Sequence, residues 1–317
     1  MAGKLLFAVL DWGLGHATRS IPVIDVLLNA GYEVHLAGNG PSSDILKNHF
    51  SKLPFWDLPG YEPSYSRANL LPFAIVSQIP GFLKTINLEH EKLRQLQTRM
   101  NYDLVVSDNR YGCFLDDRPS VLICHQLQIP LRGWPTLFAP VLQSWHRSKF
   151  SPFSELWVPD QQDLRLSGKM SEYDGEIPVE FIGLPTRLDP CRNSVKGDYI
   201  LAVLSGPEPQ RSVFENRLIE EMSKMKALNF ILIRGIAGHL NVPSNIRVVP
   251  FAHKDEMQKL MCEARWVVCR SGYSSLIDLL QLKKKAIVVP TPGMPEQEYL
   301  AKQVSALKMF DVADQSG

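Results

Sequence analysis

The chain has 317 residues, enough for two domains at the usual ~150 residues each, with a separate core in both. Its 34 basic and 33 acidic residues leave a net charge of +1, which excludes a phosphate-neutralising surface for nucleic acid and a disordered polyelectrolyte. With 45% apolar residues and 23 prolines the composition is that of a packed, loop-rich globule.

The opening MAGKLLFAVLDWG is too short for a secretory signal and predicts a cytoplasmic protein. The longest apolar stretch, Leu70 to Leu83, is interrupted by two prolines, Ser77 and Gln78, and falls well short of the ~20 apolar residues needed to span a bilayer. It predicts a buried helix, with peripheral contact to a membrane or lipid at the inner face as the alternative. The five cysteines (Cys113, Cys124, Cys191, Cys262, Cys269) are odd in number and lack metal spacing, so free thiols in a reducing compartment and no metal site are expected.

In chain order, Leu5–Leu10 reads as a parallel strand covered on both faces, broken at Asp11-Trp12-Gly13-Leu14-Gly15. Ile21, Ile24, Leu27 and Leu28 follow at helical spacing, with Pro22 placed in a first turn and Gly31 as a C-cap. Further strands are predicted at Val34–Ala37, Leu53–Trp56, Leu104–Ser107, Val121–Cys124 and Leu156–Val158. A polar linker over Asp189–Asp198 separates domains 1–188 and 189–317. Strands then recur at Ile200–Leu204, Phe230–Ile233, Arg247–Val249, Trp266–Cys269 and Ala286–Val289, with helices at Arg211–Lys226, Lys254–Glu263, Ser274–Leu282 and from Pro295. The fold class is α/β, two Rossmann-like parallel-sheet domains facing across a cleft, with ligand chemistry at the carboxyl ends of the strands.

Residues able to carry chemistry fall at those strand ends. Gly13 and Gly15 let a ligand approach, and His16 in the first helical turn meets the positive end of the helix dipole, which favours a neutral, proton-accepting ring. A histidine that only bonds its own loop fits the same position. Thr18 stands where a dinucleotide fingerprint needs glycine, which argues against a dehydrogenase. Asp108 ends one strand and is a candidate to orient His16, while His125 ends another and offers an acceptor contact.

In the second half, Ser205 and Gly206 open a strand-to-helix loop, and Arg211 would add charge toward a diphosphate, although the same loop reads equally as a rigid proline turn. Arg270-Ser271-Gly272 precede a helix in which Asp278 is a candidate ribose ligand; Ser275 to Asp278 also fits a capping box. Glu296 and Gln297 offer an acceptor and a donor to sugar hydroxyls.

These residues resemble GT-B glycosyltransferases, especially those similar to the bacterial enzyme that adds N-acetylglucosamine to the lipid-linked peptidoglycan precursor. The resemblance rests on Gly15-His16, Gly183-Leu184-Pro185-Thr186-Arg187, Val249-Pro250-Phe251, Gln297 and, most specifically, Arg270-Ser271-Gly272 with an acid six residues on. It implies that 1–188 binds the acceptor and 189–317 a nucleotide-diphosphate sugar, UDP-linked. In that reading Asp278 lies on the ribose, Ser271 and Gly272 by the diphosphate, Phe251 and Ala252 at the base, Gln297 at the donor sugar and His16 at the reaction centre, with no metal or other cofactor.

The sequence departs from the family's pattern at Asp11 and Trp12, which replace small residues, at Pro207-Glu208 in the second loop, and at Asp278 in place of Glu. The chain also reaches Gly317 before the helix that in this fold crosses back to the first domain. The reading is an inverting, metal-independent transfer to a hydroxyl on a carbohydrate or lipid-linked acceptor. A nucleotide-sugar hydrolase or epimerase of the same fold and a non-catalytic sugar-nucleotide-binding scaffold are the alternatives.

Overall fold

The computed structural model describes residues 2–61, 71–130, 139–191 and 197–315. The chain divides into two compact units, Met1–Pro185 and Thr186–Gly317. Residues 192–196 of the expected linker, and Leu70 of the apolar stretch, lie outside the described residues.

The first unit is a seven-stranded sheet in the order β3-β2-β1-β4-β5-β6-β7. Its strands are β1 Gly3–Val9, β2 Tyr32–Gly38, β3 Phe55–Asp57, β4 Leu104–Asp108, β5 Ser120–Ile123, β6 Glu155–Val158 and β7 Val179–Phe181, all parallel. Helices α1 Leu14–Asn29, α2 Gly40–His49, α3 Leu71–Met100 and α4 Ala139–Ser148 connect them. Parallel strands buried on both faces need continuous apolar runs, and β1 is buried from Leu5 through Val9. Leu5, Phe7 and Val9 pack under α1 with Ile21 and Ile24, while Leu6 and Ala8 face Leu93, Leu96 and Tyr102.

The second unit is a six-stranded parallel sheet, β10-β9-β8-β11-β12-β13. It comprises β8 Ile200–Val203, β9 Phe230–Ile233, β10 Ile246–Val249, β11 Trp266–Arg270, β12 Ala286–Val289 and β13 Asp311–Val312, with helices α5 Gln210–Lys224, α6 Lys254–Glu263, α7 Tyr273–Gln281 and α8 Pro295–Ala306. In each sheet the strand order reverses beside the first strand, between β1 and β4 and between β8 and β11. Such a switch point leaves a crevice outside the strand ends, because the flanking connections leave in opposite directions.

Three expectations are corrected. Pro22 lies inside α1, which starts eight residues earlier at Leu14. Burial of Ala17, Ile21, Ile24 and Leu27 outweighs the lost backbone bond, at ~1.5–3 kcal/mol per large side chain against ~3 kcal/mol. β7 and β13 were not predicted; three and two residues long and largely unburied, they have too little apolar pattern to read. Cys191 and Cys262 are disulfide-bonded, with Cα atoms 5.6 Å apart, rather than free thiols, because α6 returns to the start of the second unit. Cys113, Cys124 and Cys269 are buried thiols.

Among the described residues no helix is long and apolar enough to cross a membrane. The second half of α3 instead carries a buried ion pair. Glu89 and Arg110 are both fully buried with 2.6 Å between Nη1 and Oε1, and Arg110 also donates to the Val9 carbonyl, the Pro59 carbonyl and the Asn39 side chain. Glu89 further accepts the Tyr61 hydroxyl at 2.6 Å and the Gly112 amide at 3.1 Å. Removing one partner strands a buried charge. Glu89→Ala is expected to destabilise the first unit by about 3–5 kcal/mol, read as a lower urea midpoint, with Glu89→Gln intermediate.

Candidate active site

At the first switch point Val9 is in register with Asp108, so α1 leaves directly beside the end of β4. Gly13 is the N-cap of α1 at φ 96°, a conformation glycine enters without strain, and its side has no atom within 4 Å. No side chain caps α1. Gly15 is the second helical residue, its carbonyl accepting the Thr18 hydroxyl at 3.1 Å.

His16 lies in the first turn with its Nδ1 3.1 Å from Asp108 Oδ1. The expected juxtaposition is therefore present, but a residue the sequence reading did not place at the site completes it. Arg19, buried one turn further on, bonds Asp108 through Nε at 3.1 Å and through Nη2, and the same Nη2 lies 2.8 Å from His16 Nδ1. Ser20 donates to Asp108 Oδ2 at 3.1 Å. His125 is also buried, with Nδ1 3.4 Å from Arg19 Nη1, so it backs the cluster rather than offering an exposed acceptor contact.

Burial alone would raise the Asp108 pKa, but Arg19 and His16 outweigh it and hold the carboxyl well below the usual range. Burial, reinforced by the Arg19 cation, pushes His16 below 6.5 against the pull of Asp108. Near pH 7 the ring is neutral. Its Nε2 makes no hydrogen bond among the described residues.

Asp11, at the start of the same loop, turns toward α2. Its Oδ1 accepts the Ser42 amide at 2.9 Å, in the first turn of α2, and a Cβ on Gly40 would stand 1.9 Å from its Oδ2. The carboxylate closes the N-terminus of α2.

In the second unit, Ser205 and Gly206 form an exposed loop after β8. Arg211 does not hold out a free charge: it bonds Glu208 at 2.7 Å and Glu215 at 3.4 Å, and Glu215 also pairs with Arg234 at the end of β9. Arg270 is fully buried, its guanidinium 3.9 Å from the Phe214 ring centre and donating to the Pro290 and Gln210 carbonyls and to Gln315. The Ser271 hydroxyl donates to the Gln297 carbonyl at 2.8 Å. Gln297 lies within α8, and its Oε1 accepts the Thr291 amide at 2.9 Å.

These four side chains are turned into the fold and tie the loops together rather than presenting free donors. Arg270 ends β11, where it meets carbonyls that need partners and satisfies them internally. Glu296, in the first turn of α8, is half-buried.

Gly272 contrasts with them. It is the N-cap of α7 at φ −71°, ψ 142°, a conformation open to any residue, with nothing within 4 Å of its missing side chain and no side-chain cap on the helix. Space and the start of a helix therefore coincide there. Asp278 is not the capping acid, because α7 starts at Tyr273 and the Asp278 Oδ1 instead accepts the Thr186 hydroxyl at 2.5 Å. Burial raises its pKa to about 6, against the Thr186 bond and the Arg187 charge. Phe251 is an exposed ring and Ala252 a half-buried neighbour in the loop between β10 and α6. Among the described residues, no group of three or more His, Cys, Asp or Glu side chains is placed to hold a metal ion.

Residues 212–315 match the family model of the glycosyltransferase family 28 C-terminal domain. An uncharacterised glycosyltransferase of Methanosarcina acetivorans is 22% identical, over 93% of this chain and 81% of that protein. The UDP-N-acetylglucosamine–N-acetylmuramyl-(pentapeptide) pyrophosphoryl-undecaprenol N-acetylglucosamine transferase of Caldicellulosiruptor saccharolyticus is also 22% identical, over 91% of this chain and 78% of its own. The crystal structure of the kitacinnamycin glycotransferase superposes with a TM-score of 0.71 at 16% identity, covering 100% of this chain and 87% of that one. The second unit thus carries a glycosyltransferase family 28 C-terminal domain, and the chain is a glycosyltransferase of the GT-B fold.

Proposed function

We propose that the chain moves a sugar from a UDP-sugar to a hydroxyl acceptor by a single inverting displacement that needs no metal ion. The observation that carries this reading is His16: neutral near pH 7, with Nδ1 held against Asp108 and Arg19 and with no hydrogen bond at Nε2 among the described residues. Arg19 Nη2 can only donate, so its 2.8 Å approach fits Nδ1 as an acceptor; the reaction uses the other tautomer, in which Nδ1–H donates to Asp108 and the lone pair is on Nε2. Nε2 takes the acceptor hydroxyl's proton as that oxygen bonds the anomeric carbon, while the bond from that carbon to the diphosphate oxygen breaks and the electron pair leaves with the diphosphate. The second unit's part is to hold the donor: the start of α7, beside the open side of Gly272, is assigned to the diphosphate, whose charge a helix N-terminus favours. The second oxygen of Asp278 accepts ribose hydroxyls.

The UDP donor is supported by the name of the Caldicellulosiruptor saccharolyticus relative, which specifies UDP-N-acetylglucosamine and an undecaprenol-linked acceptor. A hydrolase of the same fold would release free sugar without acceptor, and a scaffold would bind donor without turnover.

Assayed with EDTA present, His16→Ala is expected to lower kcat by about 10²–10⁴-fold while a UDP-sugar still raises the melting temperature of the folded variant; near-normal transfer would remove His16 from the reaction. Because His16 is depressed below 6.5, it accepts a proton above that pH and loses the capacity only as pH falls further. The acid limb of kcat/KM should therefore lie below pH 6.5, and ¹⁵N NMR should show the Nδ1–H tautomer at neutral pH. Asp278 ionises as pH rises through about 6, so UDP-sugar affinity should strengthen between pH 5 and 7, and calorimetry on Asp278→Asn should find that dependence abolished.

A further inference from the structure

Trp12 is 43% exposed, although a large aromatic side chain is ordinarily covered. It lies between the end of β1 and the N-cap of α1, four residues before His16. Two rings from other segments brace it: Tyr61 at 6.1 Å between centroids and 82° between planes, and Phe82 of α3 at 5.6 Å and 56°. Tyr61 and Phe82 also meet, at 6.2 Å. Tyr61 is fixed in turn by its bond to Glu89 and stands 6.0 Å from the Arg110 guanidinium. The cluster is thus anchored from behind by the buried ion pair, while the indole remains open beside Leu14, itself 51% exposed.

Among the described residues, the polar groups of the adjoining segments have partners within the fold. The Tyr61 hydroxyl donates to Glu89, Asp11 accepts the Ser42 amide, Asn39 accepts from Arg110 and the Ser42 hydroxyl donates to the Gly13 carbonyl. Arg110 and Arg19 are paired with Glu89 and Asp108. What Trp12 offers is therefore a fixed apolar plane. A pyranose ring would bring a rim of hydroxyls needing partners, and a diphosphate-bearing lipid would bring charge needing cations; a flat ring with one hydroxyl needs neither.

We infer that Trp12 is the stacking platform of an acceptor subsite for a phenolic or polycyclic alcohol, whose ring lies on the indole while its hydroxyl is presented to His16. This rests on the acceptor role proposed above for the first unit. Aromatic pairs add to affinity beyond the area they cover, so loss of the indole should weaken ring binding about 10-fold.

Calorimetric titration with 4-methylumbelliferone and, separately, with octyl N-acetylglucosaminide and undecaprenyl phosphate tests this on the full chain without donor. The expected result is binding of 4-methylumbelliferone that weakens about 10-fold in Trp12→Ala and much less in Trp12→Phe, with both variants melting cooperatively like the parent. Equal affinity of parent and Trp12→Ala for 4-methylumbelliferone, absence of its binding, or preferential binding of the sugar or lipid probe overturns the inference. A UDP-sugar thermal shift in the same variants reports on the donor reading independently, so failure of the platform and failure of the transferase reaction are told apart.

Discussion

Asp108 is wholly buried and still ionised, and it can be so because Arg19, Ser20 and His16 all turn toward it from one face of α1. A lone buried carboxylate would take up a proton to escape the desolvation penalty. Here Arg19 supplies the compensating charge, so the pair is electrically complete before His16 is counted. The imidazole is then a third party with no net attraction to gain by protonation, and it remains neutral. Strand register does the positioning: Val9 beside Asp108 fixes where α1 departs, and α1 brings all three partners within one turn.

The second unit solves a different problem with the same topology. Arg211, Arg234 and Arg270 and several polar loop side chains are engaged with carboxylates or carbonyls, as in the Glu208–Arg211–Glu215–Arg234 chain and the Ser271–Gln297–Thr291 ties. Those ties stiffen the loops at the strand ends. What they leave open is the space beside Gly272, at the start of α7. Backbone donors fixed by a helix need no rotamer ordering when an anion arrives, which long side chains would.

Continuous apolar runs and the turn signals between them made the parallel sheets legible in the sequence, and the strand ends pointed to the residues that matter. The meeting of His16 and Asp108 was legible because both lie just beyond strands that the doubly wound order makes neighbours. Arg19 was not read, although a signal existed: it follows His16 by three positions and lies on a helix whose apolar positions 17, 21 and 24 face inward, where an arginine requires an acid. The inward turn of Ser271, Arg270 and Gln297 could not be read from spacing, since side-chain direction at a strand end depends on which carbonyls the fold leaves without partners. The Cys191–Cys262 bond was hidden for a similar reason, being set by tertiary return across 71 residues.

The two sheets share a winding pattern, and in the first of them Asp11 sets the charge at the start of α2. By seating a carboxylate on the start of α2, against a glycine too close to bear a side chain, the first unit fills with its own anion the kind of pocket in which this architecture commonly cradles phosphate. The consequence is a built-in polarity in the first unit: a ligand rich in negative charge that approaches α2 meets an anion already in place there.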